Sequence, residues 1–109
     1  MLFRSAQIQH RGRRSGHTYV TPASARPTPD GFLVPLTFGD RSDWCRNVLA
    51  ARQCTIRFKA VDYLACEPVL LVGDEGRALA QHAFKRAERL MLRTLGVNRF
   101  LRLTTPPTR

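Results

Sequence analysis

The sequence has few acidic residues, almost no lysine and no long apolar run. Aspartate and glutamate number 8 against 18 lysines and arginines, a formal net charge of +10, and Lys59 and Lys85 are the only lysines. The chain is therefore an arginine-rich cation. Planar guanidinium forks suit phosphate and carboxylate, so the expected partner is anionic: nucleic acid, a phosphorylated cofactor or an anionic membrane surface. No stretch approaches membrane-spanning length. The opening "MLFRSAQIQHRGRR" interrupts its apolar positions with Arg4, Gln7 and Gln9, which argues against a signal-peptide core. Cys45, Cys54 and Cys66 are odd in number and form neither a CxxC pair nor zinc-ligand spacing with the three histidines. Free thiols in a reducing cytoplasm fit that pattern. No internal repeat or low-complexity tract breaks the 109 residues, so one domain over residues 1–109 is expected. A domain this short buries a modest share of its surface, which keeps a homodimer open.

Most of the chain reads as short strands. Residues 2–9 alternate loosely, with Leu2, Ala6 and Ile8 on one face. After the loop "HRGRRSGH", "TYVTPASA" predicts a second strand, "RPTPDG" a turn with Asp30-Gly31 as the hairpin signal, and "FLVPLTF" the return. Pro22 and Pro35 fall inside these runs and each lacks a ladder donor, so an edge, a strand start or a bulge is expected there. "GDRSDWCRNVLAA" reads as a short helix capped by Ser42 or Asp43, with Trp44, Val48 and Ala51 on its apolar face and Asn47 beside it. "CTIRFKA" and "YLACEPVLL" predict a hairpin turning at Val61-Asp62. From Asp74 or Glu75 to Leu95 the period becomes helical, with a stripe of Ala80, Phe84, Ala87, Met91 and Leu95 and a stop at Gly96. "VNRFLRLTT" supplies a last strand. The sum is an α+β domain, mainly β: an antiparallel barrel or strongly curved sheet with a short crossover helix and one long helix packed outside.

The ordered segments "HRGRRSG", Thr21-Pro22, "LTFG" before "DWCRNVLAA", and "LGVNRFLRL" together resemble the deazaflavin-dependent nitroreductase and quinone reductase family, from about residue 8 to the end. The resemblance implies a split β-barrel that binds the 8-hydroxy-5-deazaflavin coenzyme F₄₂₀ and passes hydride from its reduced form to a quinone, nitroaromatic or activated alkene. A coenzyme with a phosphate and an oligoglutamate tail matches an arginine-rich surface. On this reading Gly12 and Gly16 shape a nest of backbone amides, and Arg13, Arg14, Ser15 and Gly16 hold the phosphate. The resemblance further implies that Thr21 and Pro22 line the groove, that the main chain at Leu36 and Thr37 faces the deazaflavin ring, and that Trp44 and Asn47 close the pocket. A hydroxyl donor near the acceptor's developing oxyanion would help, and Thr37 and Tyr63 are the candidate catalytic residues for it, although either fits a plain strand position better. Trp44 equally fits a core role, and His10 and His17 fit a solvated turn.

The sequence departs from that family in two places. Relatives carry an additional N-terminal segment ahead of the first strand, and Val20 stands where many have a basic residue. Three further readings stay open at this point. Split barrels of related architecture hold FMN through a similar phosphate site. "RGRR" and the helical arginines suit a basic nucleic-acid-binding module, although no nucleic-acid motif accompanies them. "RALAQHAFKRAERLMLR" suits peripheral contact with an anionic membrane as well as packing on the barrel.

Overall fold

The computed structural model describes residues 6–36 and 41–106. Its elements in chain order are β1 (Ala6–Arg11), β2 (Thr18–Ala23), β3 (Arg26–Thr28), β4 (Gly31–Pro35), α1 (Asp43–Ala51), β5 (Gln53–Phe58), β6 (Val61–Val72), α2 (Asp74–Ala83), α3 (Arg86–Thr94) and β7 (Arg99–Thr104). The seven strands form one sheet in the order β2-β1-β5-β6-β7-β4-β3, with every pairing antiparallel.

That order dictates curvature. The outer strands β2 and β3 are joined by Ser24 and Ala25 alone. Three Cα steps from Ala23 to Arg26 reach at most about 11 Å, whereas six flat strand spacings would separate the edges by about 29 Å. The sheet therefore curls on itself as a half-barrel, the α+β, barrel-like architecture expected from the strand pattern. Pro22 lies on edge strand β2. Pro35 ends β4 beyond Leu33, the last β4 residue that β3 pairs. Both prolines thus stand where no ladder donor is missed.

Alternation on the strands builds two cores. Ile8, Ile56, Phe32, Val34, Leu101 and Leu103 face the barrel interior, which α1 seals with Cys45 and Val48. Leu33 and Phe100 point the other way and are covered by Ala80, Phe84 and Leu92 of the α2–α3 segment. Strand β4 is thereby buried on both faces, which explains its near-continuous apolar sequence, and on β7 Phe100 is buried on the face opposite Leu101 and Leu103. Gly31 lies tight against β7: a Cβ there would lie 1.9 Å from the Leu103 carbonyl oxygen.

Four local expectations are corrected. The first hairpin turns at Pro29-Asp30, because Thr28 pairs Gly31 and the residues expected to form a longer turn begin a strand. The second turns at Lys59-Ala60, which take φ of 50° and 64°, with Phe58 paired to Val61. These two left-handed residues suit the twist of a two-residue hairpin without the usual asparagine or glycine. The buried face of α1 is Cys45, Asn47 and Val48, rotated from the expected Trp44, Val48 and Ala51, so that Ala51 is exposed. The single long helix is two.

The break at Phe84 has a physical cause. Phe84 is extended (φ −107°, ψ 145°) and buried, with its ring 6.4 Å from that of Phe100. Glu88 Oε1 then accepts a hydrogen bond from the Lys85 amide at 3.1 Å, half of a capping box, and starts α3 afresh. Of the expected stripe, Ala80 and Phe84 are buried. Ala87 and Leu95 are exposed, and Leu92 fills the core instead. Glu88 also pairs with Arg26 of β3, whose guanidinium lies 5.7 Å from the Phe84 ring centroid. Burial raises the Glu88 pKa, but the Arg26 and Lys85 bonds outweigh it and hold the carboxyl below its ordinary value.

Candidate functional site: a cleft between the first hairpin and helix α1

The β1–β2 hairpin ends in a loop over residues 12–17. Gly12 N–H donates to the His17 carbonyl at 2.8 Å, and Gly16 N–H, at a residue with φ 75°, donates to the Gly12 carbonyl at 2.9 Å. His17 N–H donates to Ser15 Oγ at 3.2 Å, and Arg13 N–H to Asn47 Oδ1 at 3.1 Å. Four of the loop's amides are thus turned inward. The amide nest expected at Gly12 and Gly16 is corrected: their hydrogens close the hairpin, and side chains are left as the loop's main anion donors.

Beneath the loop lies a chain of buried polar groups. His10 is the third inward residue of β1, after Ala6 and Ile8, and is 5% exposed. Asn47 Oδ1 receives both Arg13 N–H and Arg13 Nη1–H, the latter at 2.8 Å, so it must be the carbonyl oxygen. Asn47 Nδ2–H therefore donates to His10 Nδ1 at 3.0 Å. His10 must then carry its proton on Nε2, which donates to Thr21 Oγ1 at 2.8 Å. Thr21, whose hydroxyl oxygen accepts from His10, lines the cleft. Desolvation lowers the His10 pKa, against a smaller raising influence from Asp43, which favours this neutral tautomer. The Tyr19 ring stacks on His10 at 5.8 Å between centroids.

The cleft above this chain has a volume of about 640 Å³ and is lined by the loop, by Tyr19, Val20 and Thr21 of β2, and by Asp43, Trp44 and Asn47 of α1. Arg13 is clamped to α1, through Asn47 and an ion pair with Asp43 at 3.4 Å. Arg14 is exposed and has no partner among the described residues. Trp44 serves in both readings, packing against the barrel core and lining the cleft.

Of the residues singled out in the sequence, the fold gathers Arg13, Arg14, Ser15, Thr21, Trp44 and Asn47. It separates others. Pro22 alternates away from the cleft, opposite Gln7. Leu36 is buried in the barrel core, and its amide donates to the Arg99 carbonyl. Tyr63 is on β6, its ring edge-on to Phe32 at 5.3 Å and outside the cleft. Thr37 lies outside the described residues. His10 is the residue whose solvated reading is corrected, and its place in the alternation of Ala6 and Ile8 was the available signal. His17 is exposed, as a turn histidine should be.

Cys45, Cys54 and Cys66 form no disulfide, and burial pushes the Cys54 thiol up to about 12, leaving it inert. No group of histidine, cysteine or carboxylate side chains able to hold a metal occurs among the described residues, and none of their helices is long and apolar enough to cross a membrane. No protein-family model and no curated protein matches the chain.

Proposed function

We propose that the protein is a split-barrel oxidoreductase that binds the deazaflavin coenzyme F₄₂₀ in the cleft between the first hairpin and α1, and delivers hydride to a quinone, nitroaromatic or activated alkene. The observation that carries the reading is the cleft itself: Arg13, Arg14, Ser15 and Thr21 line it together, and Thr21 is fixed there by its hydrogen bond with His10.

The donor set suits a phosphate or carboxylate tail. Arg14 would provide the mobile charge-assisted contact, with the Ser15 and Thr21 hydroxyls beside it. Arg13, held by Asn47 and Asp43, would set a fixed positive field. Trp44 and Tyr19 line the cleft with flat apolar rings. When bound, the coenzyme would supply the hydride itself. The protein's part is to orient it, exclude water, and hold the His10–Asn47–Thr21 chain neutral.

The test is a fluorescence titration of the purified protein with F₄₂₀, run beside FMN and a short DNA duplex. Micromolar F₄₂₀ binding is expected to weaken about ten- to a hundredfold in Arg14→Ala, the range for loss of a charge-assisted hydrogen bond. Reoxidation of the reduced coenzyme on adding menadione would then separate a reductase from a carrier. Tighter FMN binding would transfer the site to that flavin. Tight duplex binding without coenzyme binding would overturn the reading.

A further inference from the structure

A second cleft, of about 680 Å³, opens between α2 and α3 on the face of the sheet away from α1. Its floor is apolar, made by Ala80, Leu92, Val97 and Phe100. Its walls carry Arg77, Arg86, Arg89 and Arg93. The volume falls within the roughly 300–1,000 Å³ of small-molecule sites.

The charges here are unbalanced. Glu88, the one carboxylate of α3, is buried and taken by Arg26 and the Lys85 amide on the side facing β3. Asp74 reaches Arg77 at 3.6 Å across the first turn of α2. Arg86, Arg89 and Arg93 have no carboxylate partner among the described residues, although they stand within two turns of one helix and repel one another. Arg89 adds a second observation: its Nε is buried and has no hydrogen-bond partner among the described residues. A buried guanidinium donor without an acceptor is costly, and an anion seated between the helices would satisfy it. Beside it Leu90 is 66% exposed, extending the apolar floor to the rim.

We propose that this cleft binds a single-chain amphiphilic anion, with its carboxylate or phosphate head on Arg86, Arg89 and Arg93 and its apolar chain on Leu92, Val97 and Phe100. A head group alone would leave the floor wet, and an uncharged chain would leave the arginines unpaired. The complementary ligand is therefore the combination. The site is separate from the cleft at the first hairpin and does not depend on what that cleft binds.

Dodecyl phosphate, kept below its micelle-forming concentration, is titrated into the full chain by calorimetry, with inorganic phosphate, dodecanol and phosphatidylglycerol vesicles in parallel. One saturable site per chain is expected for dodecyl phosphate, with inorganic phosphate and dodecanol each at least about tenfold weaker. The exposed double variant Arg86→Gln/Arg93→Gln should weaken binding about ten- to a hundredfold while melting as the parent does. Arg89→Gln should weaken it further. Unchanged binding in the double variant, dodecanol binding as tight as dodecyl phosphate, or competition by F₄₂₀ would overturn the proposal. Binding to vesicles with no monomer binding would also overturn it, by making the face a bilayer surface rather than a site. Loss of F₄₂₀ binding in the first-cleft variant Arg14→Ala should leave dodecyl phosphate binding unchanged, so the two readings fail separately.

Discussion

The two arginine-lined clefts are held together in opposite ways. In the first, Arg13 is fixed by a neutral chain of amide, imidazole and hydroxyl, each member satisfied by the next. In the second, the helix carrying the arginines is fixed by one buried ion pair, Arg26–Glu88, and its own cations face the opening. A neutral chain is insensitive to salt but sensitive to which atom holds a proton. An ion pair tolerates proton movement poorly, and removing one partner leaves a charge stranded in the core.

The largest expected effect follows from the ion pair. Arg26→Ala leaves the Glu88 carboxylate buried without its counter-charge and should cost about 3–5 kcal/mol, measured by urea unfolding. A loss below about 1 kcal/mol would mean that the pair contributes little to holding α3. Next is Asn47→Ala, which removes the acceptor of two Arg13 donors and the donor to His10 together. About 2 kcal/mol should be lost, with faster amide exchange in the loop over residues 12–17 as the local signature.

Proton dependence sharpens the contrast. The folded His10 pKa lies below its ordinary 6.5, so the neutral form is favoured by folding. Its contribution is fully present above about pH 6.5 and is lost as pH falls from there through the folded value. The Glu88 contribution, from a depressed carboxyl, persists to lower pH, being present above about 4.3 and lost only as pH falls through its folded value. Stability should therefore decline in two stages on acidification, with His10→Gln removing the first and leaving the second. A single stage in the parent would contradict the lowered His10 pKa. Asn47→Asp should raise the His10 pKa above the parent value, read from the imidazole proton shifts.

The smallest effect is Ala60→Gly. Glycine tolerates the 64° φ of the β5–β6 turn, so a gain of about 0.5–1 kcal/mol is expected, with neither cleft altered. A loss would show that the Ala60 methyl does more than strain the turn.

What the sequence made legible follows from how local each signal is. The alternation of Ala6 and Ile8, the prolines at edges and the apolar run of β4 all report directly on a curled antiparallel sheet. The Lys59-Ala60 turn did not, because no glycine or asparagine marks it. The split of the long helix did not either: its new start uses Glu88 at the third position after Lys85, a capping arrangement without the usual serine or threonine. Nothing local marks Glu88 as buried, because its partner, Arg26, is 62 residues away. At the site, Arg13, Arg14 and Asn47 were legible from residue type. The tautomer chain beneath them needed the fold, since it joins β1, β2 and α1.

The link formed by Ser24 and Ala25 ties these regions mechanically. β2 carries Tyr19 and Thr21 into the first cleft, and β3 begins with Arg26, which anchors α3 beside the second. Two buried residues close the gap, so the strand that lines one cleft and the strand that anchors the other lie three Cα steps apart, at most about 11 Å.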